Sequence, residues 1–204
     1  MLPIKVLVVD DSIVFRELLV QNLNKDPAIR VVGTAKDPFE ARDAILALKP
    51  DVMTLDVELP RMNGIEFLRK LIPQYPLPVI VISSLSDKVF DAMRAGAVDF
   101  VAKPVVSNRK QMEDFIKNEL LVKIKIASTA KIGNIKKVVM GGQQEMPSVK
   151  KSNLVIAIGA STGGTEATSA VIRGYGPDLP GIVCVQHMPP GFTSMYAKRL
   201  NDES

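Results

Sequence analysis

The 204-residue chain has one cysteine, one histidine and no apolar run approaching membrane length, and these scarcities exclude whole classes of protein. A single thiol rules out a disulfide framework, and Cys184, set in Ile182-Val-Cys-Val185, reads as an inert buried thiol. A membrane helix needs about 20 consecutive apolar residues, so no membrane insertion is expected. Met1-Leu-Pro-Ile-Lys-Val6 lacks the basic head and apolar stretch of a signal peptide, which makes the cytoplasm the default expectation. The net charge of +4 comes from 26 basic and 22 acidic residues. Its excess lies in residues 103–151, with 11 basic against 4 acidic side chains. Much of that segment reads as a solvated connector, without the ordered base-reading face that nucleic acid requires. No nucleic-acid partner is expected.

Hydrophobic content of 47% against 24% charged residues is an ordinary globular balance. Five nearly continuous apolar runs, at 4–9, 30–35, 52–55, 78–82 and 98–102, have the pattern of parallel strands covered by helices on both faces. Helical stretches separate them. Ser12 caps the first, whose Val14, Phe15, Leu18, Leu19 and Leu23 fall on one face. The others run over 38–48, 64–71 and about 87–95, and a long amphipathic helix covers about 108–126. This alternation predicts an α/β fold, a five-stranded doubly wound parallel sheet of flavodoxin-like type.

In such a sheet the ligand site lies beyond the carboxyl ends of the strands. Asp10 and Asp11 follow the first strand, Asp56 ends the third, Ser83 and Ser84 follow the fourth, and Lys103 follows the fifth. Alone, Asp56 could merely mark where a strand meets solvent. Together, three carboxylates repel one another unless a hard divalent cation joins them, and oxygen ligands suit magnesium. A lysine and a hydroxyl opposite that ion complete a site for a transferred phosphoryl group, with a carboxylate as its acceptor.

This constellation resembles the receiver domain of two-component response regulators, over residues 1–127. The resemblance implies that Asp56 is the phosphoacceptor and that Asp10, Asp11, Asp56 and the main-chain carbonyl of Glu58 hold Mg2+. It further implies that Ser83 donates to a phosphoryl oxygen, that Lys103 pairs with its charge, and that Phe100 is the aromatic that changes rotamer on activation. A cis bond before Pro104 is part of the same expectation.

Residues 128–152 read as a linker and 153–204 as the start of a second α/β domain. The apolar run Leu154–Ile158 leads into Gly159-Ala-Ser-Thr-Gly163-Gly164 and a helix to about Ile172. Gly159, Ser161 and Gly163 fit G-x-S-x-G, the turn that presents a serine nucleophile. A phosphate cradle or a plain small-residue turn fits the same glycines. The next strand, Gly181–Gln186, ends in His187, and serine and histidine at adjacent strand tips are the groups of acyl-transfer chemistry.

With the receiver and the basic connector, Gly-Ala-Ser-Thr-Gly-Gly and Gln-His-Met-Pro-Pro-Gly-Phe resemble the chemotaxis protein-glutamate methylesterase (CheB) family across the whole chain. That resemblance implies hydrolysis of glutamyl methyl esters on methyl-accepting chemoreceptors, and in many members deamidation of receptor glutamines. Ser161 would attack, His187 would act as base and then acid, and Thr162 would lie by the oxyanion site. Phosphoryl transfer from the chemotaxis histidine kinase would uncover the cleft, and the esterase would need no cofactor. The chain is read as truncated within that catalytic domain. Asp178 precedes the second strand and Asp202 and Glu203 sit at a terminus expected to fray, so none is a triad acid. Feeble activity and poor packing beyond about residue 150 are therefore expected. The rival reading is a phosphoacceptor binding module or phosphate sink without catalysis. A transcriptional regulator is disfavoured, since nothing after the receiver resembles a helix-turn-helix.

Overall fold

The computed structural model describes residues 2–84, 88–104, 109–130, 154–175 and 180–203. They fall into two compact units, 1–133 and 134–204. In the first unit the chain runs through β1 (Ile4–Val9), α1 (Ile13–Leu23), β2 (Ile29–Ala35), α2 (Pro38–Leu48), β3 (Val52–Asp56) and α3 (Gly64–Leu71). It continues through β4 (Val79–Ser83), α4 (Lys88–Arg94) and β5 (Asp99–Ala102) to α5 (Arg109–Phe115), a π turn (Ile116–Leu120) and α6 (Leu121–Ala127). All five strands are parallel, in the order β2-β1-β3-β4-β5. From β1 the chain first adds β2 on one side and then β3 on the other, so the direction of winding reverses at β1 and β3. The crevice at their carboxyl ends is where such a sheet binds ligands.

Unbroken apolar runs suit this sheet because helices cover both of its faces. Val6 to Val9, Val52, Met53, Leu55, Val79 to Ile82 and Val101 are all fully buried, and each such side chain contributes about 1.5–3 kcal/mol. Ser12 caps α1 by accepting from the Phe15 N–H, and the helix buries Phe15, Leu19, Asn22 and Leu23. Val14 lies outside that stripe and is 63% exposed. It stands one residue, about 100° of rotation, away from Phe15, so it does not share the buried face as its apolar character led us to expect. Asp37 caps α2 through the N–H groups of Phe39 and Glu40, with Pro38 in the first helical turn; its fixed φ suits that position.

The predicted single helix at 108–126 is interrupted by the π turn. The extra residue advances the buried stripe from Met112, Phe115 and Ile116 to Leu120, Ile124 and Ala127, which leaves Glu119 partly in solvent. The continued stripe also carries Lys123 inward, where its Nζ pairs with Asp99 Oδ1 at 2.7 Å.

The second unit contains β6 (Val155–Ala160), α7 (Gly164–Arg173), β7 (Gly181–Gln186) and α8 (Phe192–Glu203), with β6 and β7 paired in parallel. Phe192 and Tyr196 of α8 are buried, and the Tyr196 hydroxyl donates to the Thr165 carbonyl of α7 at 3.0 Å. Neither strand has a buried residue, and Leu154, Val155, Val183 and Val185 are more than half exposed. Cys184 is exposed as well, contrary to expectation. An apolar run predicts burial only where layers cover both faces of its strand, and the described residues do not supply them. No described helix is long and apolar enough to cross a membrane.

Candidate functional site

Strand register builds the first rim. Val9 pairs with Leu55 and Asp56 with Ile82, while Ser83 pairs with Ala102. The next position on each strand therefore brings Asp10 beside Asp56, and Lys103 beyond Ser83. Asp10 and Asp56 are buried at 1% and 4% exposure, and Asp11 is exposed. Carboxylate oxygens of all three lie within 4.8 Å of one another. Lys103 Nζ donates to Asp10 Oδ2 at 2.7 Å and to Asp56 Oδ2 at 2.5 Å. The second oxygens are also engaged: Asp10 Oδ1 accepts from the Ser12 N–H at 2.9 Å and Asp56 Oδ1 from the Glu58 N–H at 3.0 Å. Gly64 makes this close approach possible, since a Cβ there would lie 2.4 Å from the Asp56 carbonyl oxygen.

One ammonium cannot neutralise three carboxylates. Burial raises the pKa of Asp10 and the charge of Asp56 adds to the rise, with Lys103 and the Ser12 N–H opposing. Burial alone would lower the pKa of Lys103, but its hydrogen bonds to Asp10 and Asp56 outweigh that and raise it. The lysine stays cationic, the rim keeps excess negative charge, and its donors are all oxygen. That combination fits a hard divalent cation.

The second unit repeats the arrangement on a smaller scale. Ala160 and Gln186 are the last paired residues of β6 and β7, so Ser161 and His187 leave adjacent strand tips. The His187 N–H donates to the Ala160 carbonyl at 3.1 Å, and the Gly164 N–H to the Ser161 carbonyl at 2.8 Å. Gly163, at φ +75°, adopts the left-handed conformation that opens α7. Ser161 and His187 are exposed and Thr162 is half-buried. Among the described residues no hydrogen bond joins the Ser161 hydroxyl to the His187 ring.

The family model of the response regulator receiver domain matches residues 6–117, more than half of the chain. The chain belongs to that family. A receiver with a solved crystal structure, the response regulator domain of Thermotoga maritima CheB, is 41% identical with a TM-score of 0.58, covering 63% of this chain and 98% of that one. The receiver domain of the putative regulator NarL from Mycobacterium tuberculosis is 31% identical with a TM-score of 0.51, covering 61% and 98%. The CheB methylesterase family model matches residues 156–204. The protein-glutamate methylesterase/protein-glutamine glutaminase 2 of Syntrophomonas wolfei is 56% identical over 202 residues, which are 98% of this chain and 58% of that protein. Its counterpart in Syntrophotalea carbinolica is 49% identical, over 97% and 59%. The chain thus spans less than two thirds of the length of these curated relatives.

Within the receiver, Asp10, Asp11, Asp56, Ser83 and Lys103 share one rim, and the exposed Glu58 follows Asp56 in the β3–α3 loop. Phe100 is buried at 1% exposure, edge-on to Phe90 at 6.1 Å. No cis peptide bond occurs among the described residues, so the bond before Pro104 is trans and that expectation is corrected. Trans is the intrinsically favoured isomer before proline, by about 0.5–1 kcal/mol. Composition and spacing did not reveal the company of the rim. Phe15 was read only as core, yet its ring lies 4.7 Å below Lys103 Nζ. Arg16 donates to the Asp10 carbonyl, and Arg61 ties the β3–α3 loop to Asp37 at 3.1 Å. Of these only Arg61 had a sequence signal, a basic residue in the loop after Asp56.

Asp178 lies outside the described residues. Glu203 is not frayed: its side chain is 15% exposed and ion-paired to Arg199 and Arg173, with a hydrogen bond from Ser169. Burial pushes its pKa up, but these donors prevail and hold it down at about 2. Because Ser169 and Arg173 lie in the later turns of α7, Glu203 fastens α8 well away from Ser161. That role, and not fraying, removes it as a partner for His187.

Proposed function

We propose that this chain is the phosphorylation-controlled portion of a chemotaxis methylesterase, with a receiver at 1–127, a linker at 128–152 and the first part of the esterase at 153–204. One observation carries the receiver chemistry: Asp56, buried at the end of β3, shares Lys103 with Asp10 and keeps Asp11 within ligand distance. Asp56 attacks a phosphoryl group presented by the chemotaxis histidine kinase; a P–O bond forms as the P–N bond to the kinase histidine breaks. Lys103 then pairs with the new charge and the Ser83 hydroxyl donates to a phosphoryl oxygen. Asp10, Asp11, Asp56 and the Glu58 carbonyl would hold Mg2+, which when bound neutralises phosphoryl charge during transfer. Phe100 is the aromatic that responds to the repositioned Ser83.

In the second unit Ser161 attacks the ester carbonyl of a methylated chemoreceptor glutamate. His187 takes its proton and returns it to the departing methanol, and the backbone at Thr162 faces the oxyanion. A glutamine side chain would react in the same way, with ammonia leaving. The unjoined Ser161 and His187 favour a second reading, in which the phosphorylated receiver serves as a binding module or phosphate sink. Both readings place the protein in the cytoplasm, where kinase and receptor tails are accessible.

Incubation with acetyl phosphate and Mg2+ tests the receiver. Acid-labile phosphate is expected on the wild type and absent from Asp56→Asn; its persistence in the variant overturns the assignment. Methanol release from methylated receptor, abolished by Ser161→Ala, separates the esterase from the binding module.

A further inference from the structure

Gln186 closes β7 opposite Ala160, one residue before His187. Its Nε2 donates to the main-chain carbonyls of both Ser161, at 2.9 Å, and His187, at 3.2 Å. The Ser161 carbonyl thus has two donors, the other being the Gly164 N–H. Since both contacts are acceptors, the NH2 end of the amide must face them. Oε1 is left turned toward Gly164, buried and without a hydrogen-bond partner among the described residues. Burying an amide oxygen unsatisfied is costly, so the two donated bonds offset a real penalty. Space fixes the amide further. A Cβ on Gly164 would meet Gln186 Oε1 at 2.6 Å and the Ala160 Cβ at 2.5 Å, so α7 begins directly against this side chain.

We propose that Gln186 is the positioning residue of the esterase site, a clamp that holds the Ser161 turn and the His187 loop at a fixed separation. The proposal rests on reading Ser161 and His187 as an acyl-transfer pair. Those two side chains sit on separate exposed loops, and the described residues contain no side-chain bond between them. Their relative position is therefore set through the backbone, and Gln186 is the side chain that bonds both backbones. Asparagine lacks one methylene of the required reach, methionine has no donors, and glutamate above its pKa would set a carboxylate against two carbonyl oxygens.

The test compares Gln186→Met and Gln186→Glu with the unaltered 204-residue chain. Hydrogen exchange is followed at the His187 and Gly164 amides and at interior amides of β6 and β7, and Ser161 labelling is timed with a small fluorophosphonate. Both variants should speed exchange at His187 and Gly164 about tenfold or more, with the strand interiors within about twofold. Labelling should slow about 10- to 100-fold, since a misplacement of roughly 1 Å costs about that much. Unchanged exchange at both amides overturns the clamp. Equal acceleration throughout β6 and β7 also overturns it, by showing a general packing role. Labelling that survives Ser161→Ala instead overturns the acyl-transfer reading, while the exchange rates still judge the clamp.

Discussion

Asp99 and Lys123 form an ion pair whose side chains are only 8% and 6% exposed, at 2.7 Å. Asp99 Oδ1 also accepts from the Phe100 N–H at 2.7 Å, Oδ2 has no hydrogen-bond partner among the described residues, and Lys123 Nζ lies 5.7 Å from the Phe100 ring centroid. At an effective dielectric of about 20 the attraction at this separation is about 6 kcal/mol. Desolvation costs several kcal/mol for each ion, so the net contribution of the intact pair is near zero. Breaking it is a different matter. Lys123→Met should leave a buried carboxylate without a counter-charge and cost about 3–5 kcal/mol, lowering the receiver's melting temperature by about 10–20 °C. Lys123→Met combined with Asp99→Asn should recover all but about 1 kcal/mol. Native-state hydrogen exchange at Ile82 and Val101, in the strands beside the pair, reads the receiver separately from the second unit. A single variant costing under about 1 kcal/mol, or a double variant as unstable as the single, would refute the reasoning.

Gly64→Ala should cost about 1–3 kcal/mol by overpacking and slow phosphate incorporation at Asp56, because its Cβ would displace the Asp56 carbonyl; urea midpoints and an incorporation time course check both. Mg2+ at about 100 times its dissociation constant should stabilise the receiver by about 2.7 kcal/mol. Asp11→Asn, at an exposed position, should weaken that binding without unfolding the metal-free protein, and an unchanged affinity by calorimetry would contradict its role as a ligand. Glu203→Gln should loosen α8 from α7 at neutral pH. Since the folded pKa of Glu203 is depressed from 4.5 to about 2, its contribution is complete above pH 4.5 and lost as pH falls toward 2. The difference in α8 amide exchange between wild type and variant should disappear across that window.

The receiver was legible because its physics is one-dimensional. A parallel strand covered on both faces leaves an unbroken apolar run, and four of the five runs here, all but that of β2, lead into a residue that the register later brings to the rim. Boundaries moved by a residue or two; β3 and β4 each extend to include their rim residue, Asp56 and Ser83. The π turn left no trace, because a helix that gains one residue still presents apolar positions three and four apart. Lys123 was illegible for a related reason: a lysine near the end of an amphipathic helix reads as solvated, and only the advanced stripe, with Asp99 opposite, turns it inward. The bridge from Lys103 to two carboxylates likewise depends on strands far apart in sequence.

The second rim shows where strand-end logic stops. Ser161 and His187 were placed correctly at neighbouring tips, and Gln186 fixes the main chain beneath them. Yet a nucleophile also needs an imidazole held in the right tautomer, which a carboxylate on the far ring nitrogen usually supplies. Among the described residues no carboxylate bonds His187, and Glu203, whose pKa is held down at about 2, is committed to Arg199, Arg173 and Ser169. Loss of the orienting acid alone costs about 10⁴ in rate in a serine protease. On the proposed esterase reading, and with no acid orienting His187, Ser161-dependent methanol release by this chain is expected about four orders of magnitude below that of the longer Syntrophomonas wolfei relative under the same conditions. Matching rates would mean that His187 is oriented by a group outside the described residues, and Asp178→Asn would then be the first variant to examine.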